Sequence, residues 1–419
     1  MSQHRLRLAA SPLRRPDLRR EVLDLAATLP LVDDLVAIER PADPMHCLRP
    51  DAVVQAAEAF VTAFPGDVLY AVKCNPEPAV LRAVWAGGVR HFDCASAAEV
   101  ALVRAMFPAA SIHFMHPVKS RPAIREAYAE HGVRDFVLDS ADELAKLLEE
   151  TGRAGDLGLI VRLALPAGGA RYDLSGKFGA SVEDAADLLR AARPRAARLG
   201  VSFHVGSQCT DPLSYRRAMT LAGKAIRRAG VAVEVIDVGG GFPVRYPDLE
   251  PPPPGAYFAE IEAAFDEMDL PKGTRQGTRL WAEPGRALAA SGTSVVVQVL
   301  LRRGPALYVN DGVYGSLSDA GAPGFRFPAR LIRAEGRDGA AKAAFELFGP
   351  TCDSADHMRG PFWLPSDVRE GDWIELGQLG AYGGCLRTGF NGFDRARLVE
   401  VRDPPLLPAA GEEDFADAA

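Results

Sequence analysis

Apolar residues in this chain fall into short blocks that stop abruptly at polar, glycine or proline positions. Between residues 68 and 284 eight such blocks occur, at 68–73, 89–94, 111–116, 134–139, 158–163, 200–205, 233–238 and 279–284. Apolar runs this short, bounded by turn residues, read as strands buried on both faces. Stretches rich in Ala, Leu and Arg lie between them with helical spacing, as at 141–151 and 182–199. Ser140, just ahead of Ala141-Asp142-Glu143, is placed to cap one helix, with Glu143 at the capping-box position. Eight strands alternating with helices predict an α/β fold of the (β/α)8, TIM-like barrel type, although an open doubly wound sheet fits the same alternation. The polar residues favour the barrel. The blocks end in Lys73, Asp93, His116, Asp139, Arg162, His204, the Gly239-Gly240-Gly241 turn and Glu283. A barrel gathers all its strand C-termini around one mouth.

After Arg286 the texture changes to β-rich runs at 293–301, 306–310, 345–348 and 373–375, with weak helical periodicity. This predicts a C-terminal β-domain over 287–403, joined by the segment 1–45, beside a barrel over 46–286. The tetraproline at 251–254 falls in the connection after the seventh strand and reads as a surface excursion. Residues 404–419 are rich in Pro and Ala and then acidic, at Glu412, Glu413, Asp414 and Asp417, which predicts a disordered tail.

A chain of 419 residues can bury a large core, and 48% apolar with 25% charged residues is ordinary for a globular enzyme. A net charge of −7 argues against a nucleic-acid partner. No eighteen-residue apolar window exists, so no membrane span is expected. The six cysteines form no CxxC pair, which predicts reduced thiols, a cytoplasmic protein and no metal site. Arginines at positions 5, 7, 14, 15, 19 and 20 invite a targeting reading, but no apolar core accompanies them and Asp17 and Glu21 interrupt the charge.

Candidate chemistry centres on Lys73, between the run Val68-Leu69-Tyr70-Ala71-Val72 and Cys74-Asn75-Pro76. Only seven of the 48 basic residues are lysines, so a merely solvating charge here would more often be arginine. An amine at a strand end either reaches water or stays partly buried with a lowered pKa, and in the second case it is a nucleophile suited to an aldehyde cofactor. Asp237-Val238-Gly239-Gly240-Gly241 is a strand running into a glycine turn whose N–H groups can converge on an anion. Ala282-Glu283-Pro284-Gly285-Arg286 adds an arginine fitted to phosphate. Glu283 could sit beside a pyridine nitrogen or pair with a barrel arginine such as Arg162. His204 is either a core histidine or a ring laid on a cofactor face. Cys352 and Asp353 occupy a Gly-Pro turn, and Tyr382 follows the glycine turn at Gly380.

Together these motifs resemble the fold-type III, alanine racemase-like pyridoxal-phosphate decarboxylases, specifically the ornithine decarboxylases and their bacterial ornithine/lysine relatives. The matching segments are Tyr70-Ala71-Val72-Lys73-Cys74-Asn75, Phe92-Asp93-Cys94-Ala95-Ser96, Phe203-His204-Val205-Gly206-Ser207, 237–243, 282–286, 308–315, 349–353 and 380–382, in order along the chain. The resemblance implies that Lys73 carries pyridoxal 5'-phosphate, that His204 stacks on its ring and that Glu283 pairs with the ring nitrogen. It implies phosphate contacts from Ser207, Gly239, Gly240, Gly241, Gly285, Arg286 and Tyr382, with Asp93 and Arg162 close by. It further implies a homodimer with shared sites, in which Cys352 of the second subunit returns a proton to the α-carbon. Asp353, Asp319 and Tyr314 would bind the substrate's distal end. The implied reaction converts ornithine or lysine to putrescine or cadaverine and CO2, a step of polyamine biosynthesis. Decarboxylation of a D-configured diamino acid, arginine, diaminopimelate or a carboxynorspermidine-like substrate is the alternative, then a racemase or an inactive regulatory homologue. The chain departs from the pattern at Asp319: Ser318 replaces the usual aromatic before it, and Gly321-Ala322-Pro323 follows. Diaminopimelate decarboxylases carry Glu after the turn cysteine, where Asp353 stands here.

Overall fold

The computed structural model describes residues 18–166, 170–172, 176–268, 270, 277–334 and 340–408. The eight apolar blocks become eight parallel strands: Asp67–Ala71, His91–Cys94, Ser111–Phe114, Asp135–Leu138, Gly158–Arg162, Arg198–Ser202, Val235–Asp237 and Arg279–Ala282. They form a closed barrel, sealed where Trp281 and Ala282 pair with Asp67 and Val68. Closure excludes the open sheet. Inside, Leu69, Met115, Val137, Ile160, Val235 and Trp281 form an apolar layer. At the N-terminal ends of the strands lies a polar floor, in which His91 Nδ1 and His113 Nε2 are 3.0 Å apart. There His113 meets Asp135 at 3.1 Å, and Arg198 meets Asp135 at 3.0 Å.

Most of the strands stop short of the ends their apolar blocks suggest. Lys73 lies in the short 3-10 turn Val72–Cys74, Glu283 just past Ala282, and His204 two residues past Ser202. The apolar signal overruns because Val72, Phe203 and Val238 stay buried in the loops that follow the strands. The helix predicted at 182–199 ends at Ala192, and Arg193–Arg195 turns tightly before the strand starting at Arg198. Pro194, inside that turn, cannot donate to a continuing helix. Ser140 caps the helix Ala141–Glu150, its hydroxyl accepting from the Glu143 N–H at 3.2 Å. The Glu143 carboxylate, however, turns to the buried Lys119 ammonium at 2.9 Å instead of closing a capping box. The tetraproline is part-exposed and leads into the helix Pro254–Glu267, where a proline at the first turn loses no hydrogen bond.

The second layer is an eight-stranded sheet centred on Thr293–Arg303. Met45–Leu48 runs antiparallel to that strand and parallel to Arg397–Glu400, which ties the N-terminal segment into the sheet. Ala306–Val309, Lys342–Phe348, His357–Pro365, Trp373–Leu376 and Ala329–Ile332 complete it around a separate apolar core. The arginines up to residue 15 and the acidic residues at 412–417 lie outside the described residues. No described helix is long and apolar enough to cross a membrane. All six cysteines are unpaired.

Candidate active site

Lys73 leaves the barrel rim with its amine on the Asp93 carboxylate. Asp93 is 1% exposed, and its second oxygen has no partner among the described residues. Burial disfavours the ammonium, but Asp93, Glu283 and Tyr382 outweigh it and hold Lys73 above the ordinary lysine range. The lowered value open to a strand-end lysine is therefore reversed by carboxylates that its own sequence neighbours do not reveal. Glu283 donates its backbone N–H to the Gly239 carbonyl at 2.8 Å, tying the last two barrel loops together. Burial, with the Asp237 and Asp93 carboxylates, pushes the Glu283 carboxyl well above its usual range. Burial also raises Asp237 to about 6, although its Oδ1 accepts the Gly239 N–H at 2.9 Å. The amine thus serves Asp93 and Glu283, with Asp237 adding a third acid beside Glu283, and only part of that charge can exist at once.

Lys73 and Glu283 line a cavity of about 470 Å³, walled by Arg162, His204, Ser207, Gly240, Gly241, Gly285, Arg286 and Tyr382. His204 accepts the Gly206 N–H through Nδ1 at 3.0 Å. Burial, then Arg162 and Lys73, lowers His204 to about 3, so its ring is neutral. Gly239 and Gly241 adopt φ of 68° and 101°, which turns the loop around the cavity. A Cβ on Gly240 would stand 2.7 Å from the Glu283 carbonyl and 3.1 Å from His204 Nε2, so bare backbone is required there. Arg286 gives Nη1 to the Tyr246 hydroxyl at 2.9 Å and Nη2 to Asp319 at 2.8 Å, and its buried Nε has no partner among the described residues. Tyr382, at φ 54°, lies under the same guanidinium, 5.0 Å from ring centre to Cζ.

A sequence profile described as "Pyridoxal-dependent decarboxylase, pyridoxal binding domain" matches residues 51–290. The chain is 32% identical over 359 residues to the lysine/ornithine decarboxylase of Selenomonas ruminantium, covering 83% of this chain and 86% of that protein. It is 31% identical over 389 residues to mouse ornithine decarboxylase, covering 83% and 82% of the two chains. Among solved structures, the lysine/ornithine decarboxylase of Vibrio vulnificus complexed with cadaverine superposes with a TM-score of 0.76 at 32% identity, over 89% of this chain and 98% of the other. The arginine decarboxylase of Paramecium bursaria Chlorella virus bound to agmatine gives 0.76 at 28% identity, over 88% and 98%. This chain belongs to the pyridoxal-dependent decarboxylases.

The residues present in this decarboxylase fit pyridoxal phosphate. The cavity offers a lysine amine, a buried acid at Glu283, a neutral imidazole, a glycine turn without side chains and a guanidinium whose Nε still lacks a partner. The sequence reading passed over four further walls of the cavity: Met115, Pro117, Lys177 and Phe178. The Lys177-Phe178 turn is flanked by Gly176 and Gly179, and that flanking is the signal that could have marked it. In the sequence Asp237 is an unremarkable strand residue, and its closeness to Glu283 leaves no sequence trace.

Cys352, Asp353, Tyr314 and Asp319 are not among the residues lining that cavity. Cys352 is exposed and donates its thiol to Asn391 Oδ1 at 3.2 Å, while the same oxygen accepts the Cys352 N–H at 3.1 Å. Asp353 accepts from the Ala355 N–H and from the Tyr314 hydroxyl, which hold its carboxyl below the usual range. Cys352 and Asp353 line a hollow of about 390 Å³ with Leu300, Tyr308 and Phe348, and it shares no lining residue with the cavity at Lys73. Asp319 stands apart from both and pairs with Arg286. Asp319 is thus engaged by a cavity arginine and is not itself among the residues lining the cavity.

Proposed function

We propose that this enzyme decarboxylates a basic diamino acid, L-ornithine or L-lysine, to the diamine and CO2, as a cytoplasmic homodimer serving polyamine biosynthesis. The observation that carries this reading is one lysine amine, held by Asp93, that lines a single cavity with Glu283 and a glycine turn. Relatives named lysine/ornithine decarboxylase and a neighbouring structure complexed with cadaverine support the substrate class.

Pyridoxal phosphate, when bound, supplies the electron sink that accepts the charge left by departing CO2. Lys73 would hold it, with Asp93 orienting the amine. Neutral His204 would serve the ring face and Glu283 the ring nitrogen, Ser207, Gly239, Gly240, Gly241, Gly285, Arg286 and Tyr382 would hold the phosphate, and Arg162 lines the same wall. Cys352 of the second subunit delivers a proton to the α-carbon, a contribution worth about 10²–10⁴-fold for a positioned acid. Asp353, steered by Tyr314, pairs with the substrate's distal ammonium and would be left uncompensated by a monoamino acid. Exposed Leu300, Leu301, Leu386, Phe390 and Phe393 give the β-domain apolar surface for a second copy.

One observation favours a second reading. Besides buried Glu283, the charged side chains that line the cavity are basic: Arg162, Lys177 and Arg286 beside Lys73, with His116 near. A diamino acid with a second carboxylate, of the diaminopimelate kind, would suit that wall. Incubation with L- and D-ornithine, lysine, arginine and diaminopimelate, with CO2 detection, separates the readings. Release from L-ornithine or L-lysine supports the first, release from diaminopimelate alone the second, and release from none overturns both.

A further inference from the structure

We infer that Asp319 is the internal counter-ion of Arg286, held where it competes with a phosphate for the guanidinium, and that it takes no part in reading the substrate. The inference rests on the proposed placement of the cofactor phosphate at Arg286. Arg286 and Asp319 are 7% and 13% exposed and 2.8 Å apart, so the contact is a buried ion pair and not a surface one. The loop carrying Asp319 is built around the arginine. The Phe325 N–H donates to the Asp319 carbonyl at 2.8 Å, folding the segment back on itself. The Phe325 and Phe327 rings then pack on Tyr246 at 5.2 and 5.5 Å, and Phe325 lies 4.9 Å from the Arg286 Cζ. Arg171 pins the loop from the barrel side through the Gly324 carbonyl at 2.6 Å. Asp319 is thereby fixed on the guanidinium, and it is absent from the walls of the Lys73 cavity.

The consequence follows from charge balance. In the cofactor-free protein Asp319 compensates a buried cation that would otherwise have no countercharge. In the loaded protein a phosphate supplies that charge, and the carboxylate and phosphate repel across the same guanidinium. Asp319 therefore stabilises the empty state more than the loaded one, and it keeps inorganic phosphate from filling the site.

Asp319→Asn, nearly isosteric, tests this by titrating the cofactor-free protein with pyridoxal 5'-phosphate, with pyridoxal and with inorganic phosphate, followed by cofactor absorbance and thermal shift. The expected result is a pyridoxal 5'-phosphate Kd lowered by roughly five-fold or more, a coupling of ordinary size between neighbouring sites. Inorganic phosphate should bind more tightly in parallel, pyridoxal, which lacks the phosphate, should bind unchanged, and the melting temperature of the empty protein should fall. The KM for ornithine and lysine, measured at saturating cofactor, should stay within about two-fold. An unchanged or weakened phosphate response overturns the inference, as does a raised KM with unchanged cofactor affinity, which returns Asp319 to the substrate. If the unmodified protein binds pyridoxal 5'-phosphate no better than pyridoxal, the placement of the phosphate fails with it. Should Asp319→Asn not fold, Asp319→Ala replaces it. Like Asn, Ala removes the carboxylate charge from the 2.8 Å pair, so the same tightening toward phosphate is expected, with no change overturning the proposal.

Discussion

The Lys73 amine, at the cavity floor, is the group whose loss should be most specific. Lys73→Ala is expected to abolish turnover and to leave no cofactor covalently trapped after borohydride treatment and dialysis. Normal retention of cofactor absorbance in that variant would move the anchor to another lysine. Lys73 was legible in the sequence because a lone lysine closing an apolar run is anomalous. Its charge state was not legible, since Asp93, Glu283 and Tyr382 come from distant parts of the chain. Asp237 offers a second test. Its carboxyl, raised to about 6 by burial, keeps a proton that the unfolded chain gives up near 3.8. Stability is therefore lost as pH rises across that window, and above it the ionised group costs about 3 kcal/mol. Asp237→Asn should melt higher than the parent at pH 7.5 and match it near pH 4, both cofactor-free. Equal melting at both pH values would show that Asp237 carries no such cost.

Among the elements, the barrel strands were legible because parallel strands covered on both faces must be continuously apolar. Their ends were blurred by buried loop residues such as Val72 and Val238. The glycine turn was visible as three consecutive glycines, but only the structure separates their duties. Gly239 and Gly230 share nearly the same backbone, φ 68° and 66°. A Cβ on Gly239 would lie 2.1 Å from the Phe203 carbonyl, whereas one on Gly230 would meet nothing within 4 Å. Gly230→Ala should thus cost only the left-handed strain of about 1–2 kcal/mol. Gly239→Ala should cost clearly more by denaturant titration, and equal losses would contradict the contact. The barrel floor adds a pH response of opposite sign to that of Asp237. Burial, then the neighbouring His113, lowers His91 to about 4. The unfolded chain binds this proton near 6.5, so the stabilisation is complete above 6.5 and is lost as pH falls toward 4. His91→Gln should flatten that part of the acid limb of the stability curve in the cofactor-free protein, and an unaltered limb would place the acid sensitivity elsewhere.

For the whole molecule, the distribution of the predicted catalytic groups is the decisive fact. Lys73 and Cys352 line two hollows with no lining residue in common, one on the barrel and one on the β-domain. The sequence named both residues, yet it could not say whether one chain brings them together, because their distance depends on how barrel and sheet are docked. If both belong to one reaction, the simplest arrangement is a twofold pair in which each β-domain completes the other subunit's barrel. That arrangement predicts complementation. Lys73→Ala and Cys352→Ala proteins should each be inactive alone. After mixing under conditions that exchange subunits, half of the pairs in an equal mixture are mixed, and each of these holds one intact site and one doubly altered site. Activity should then recover to about one quarter of the parent's sites. Exchange can be verified independently by mass labelling of one variant. Recovery near this level, rising and falling with the fraction of mixed pairs, is the expected outcome, and no recovery after confirmed exchange would mean that Cys352 acts within its own chain or not at all.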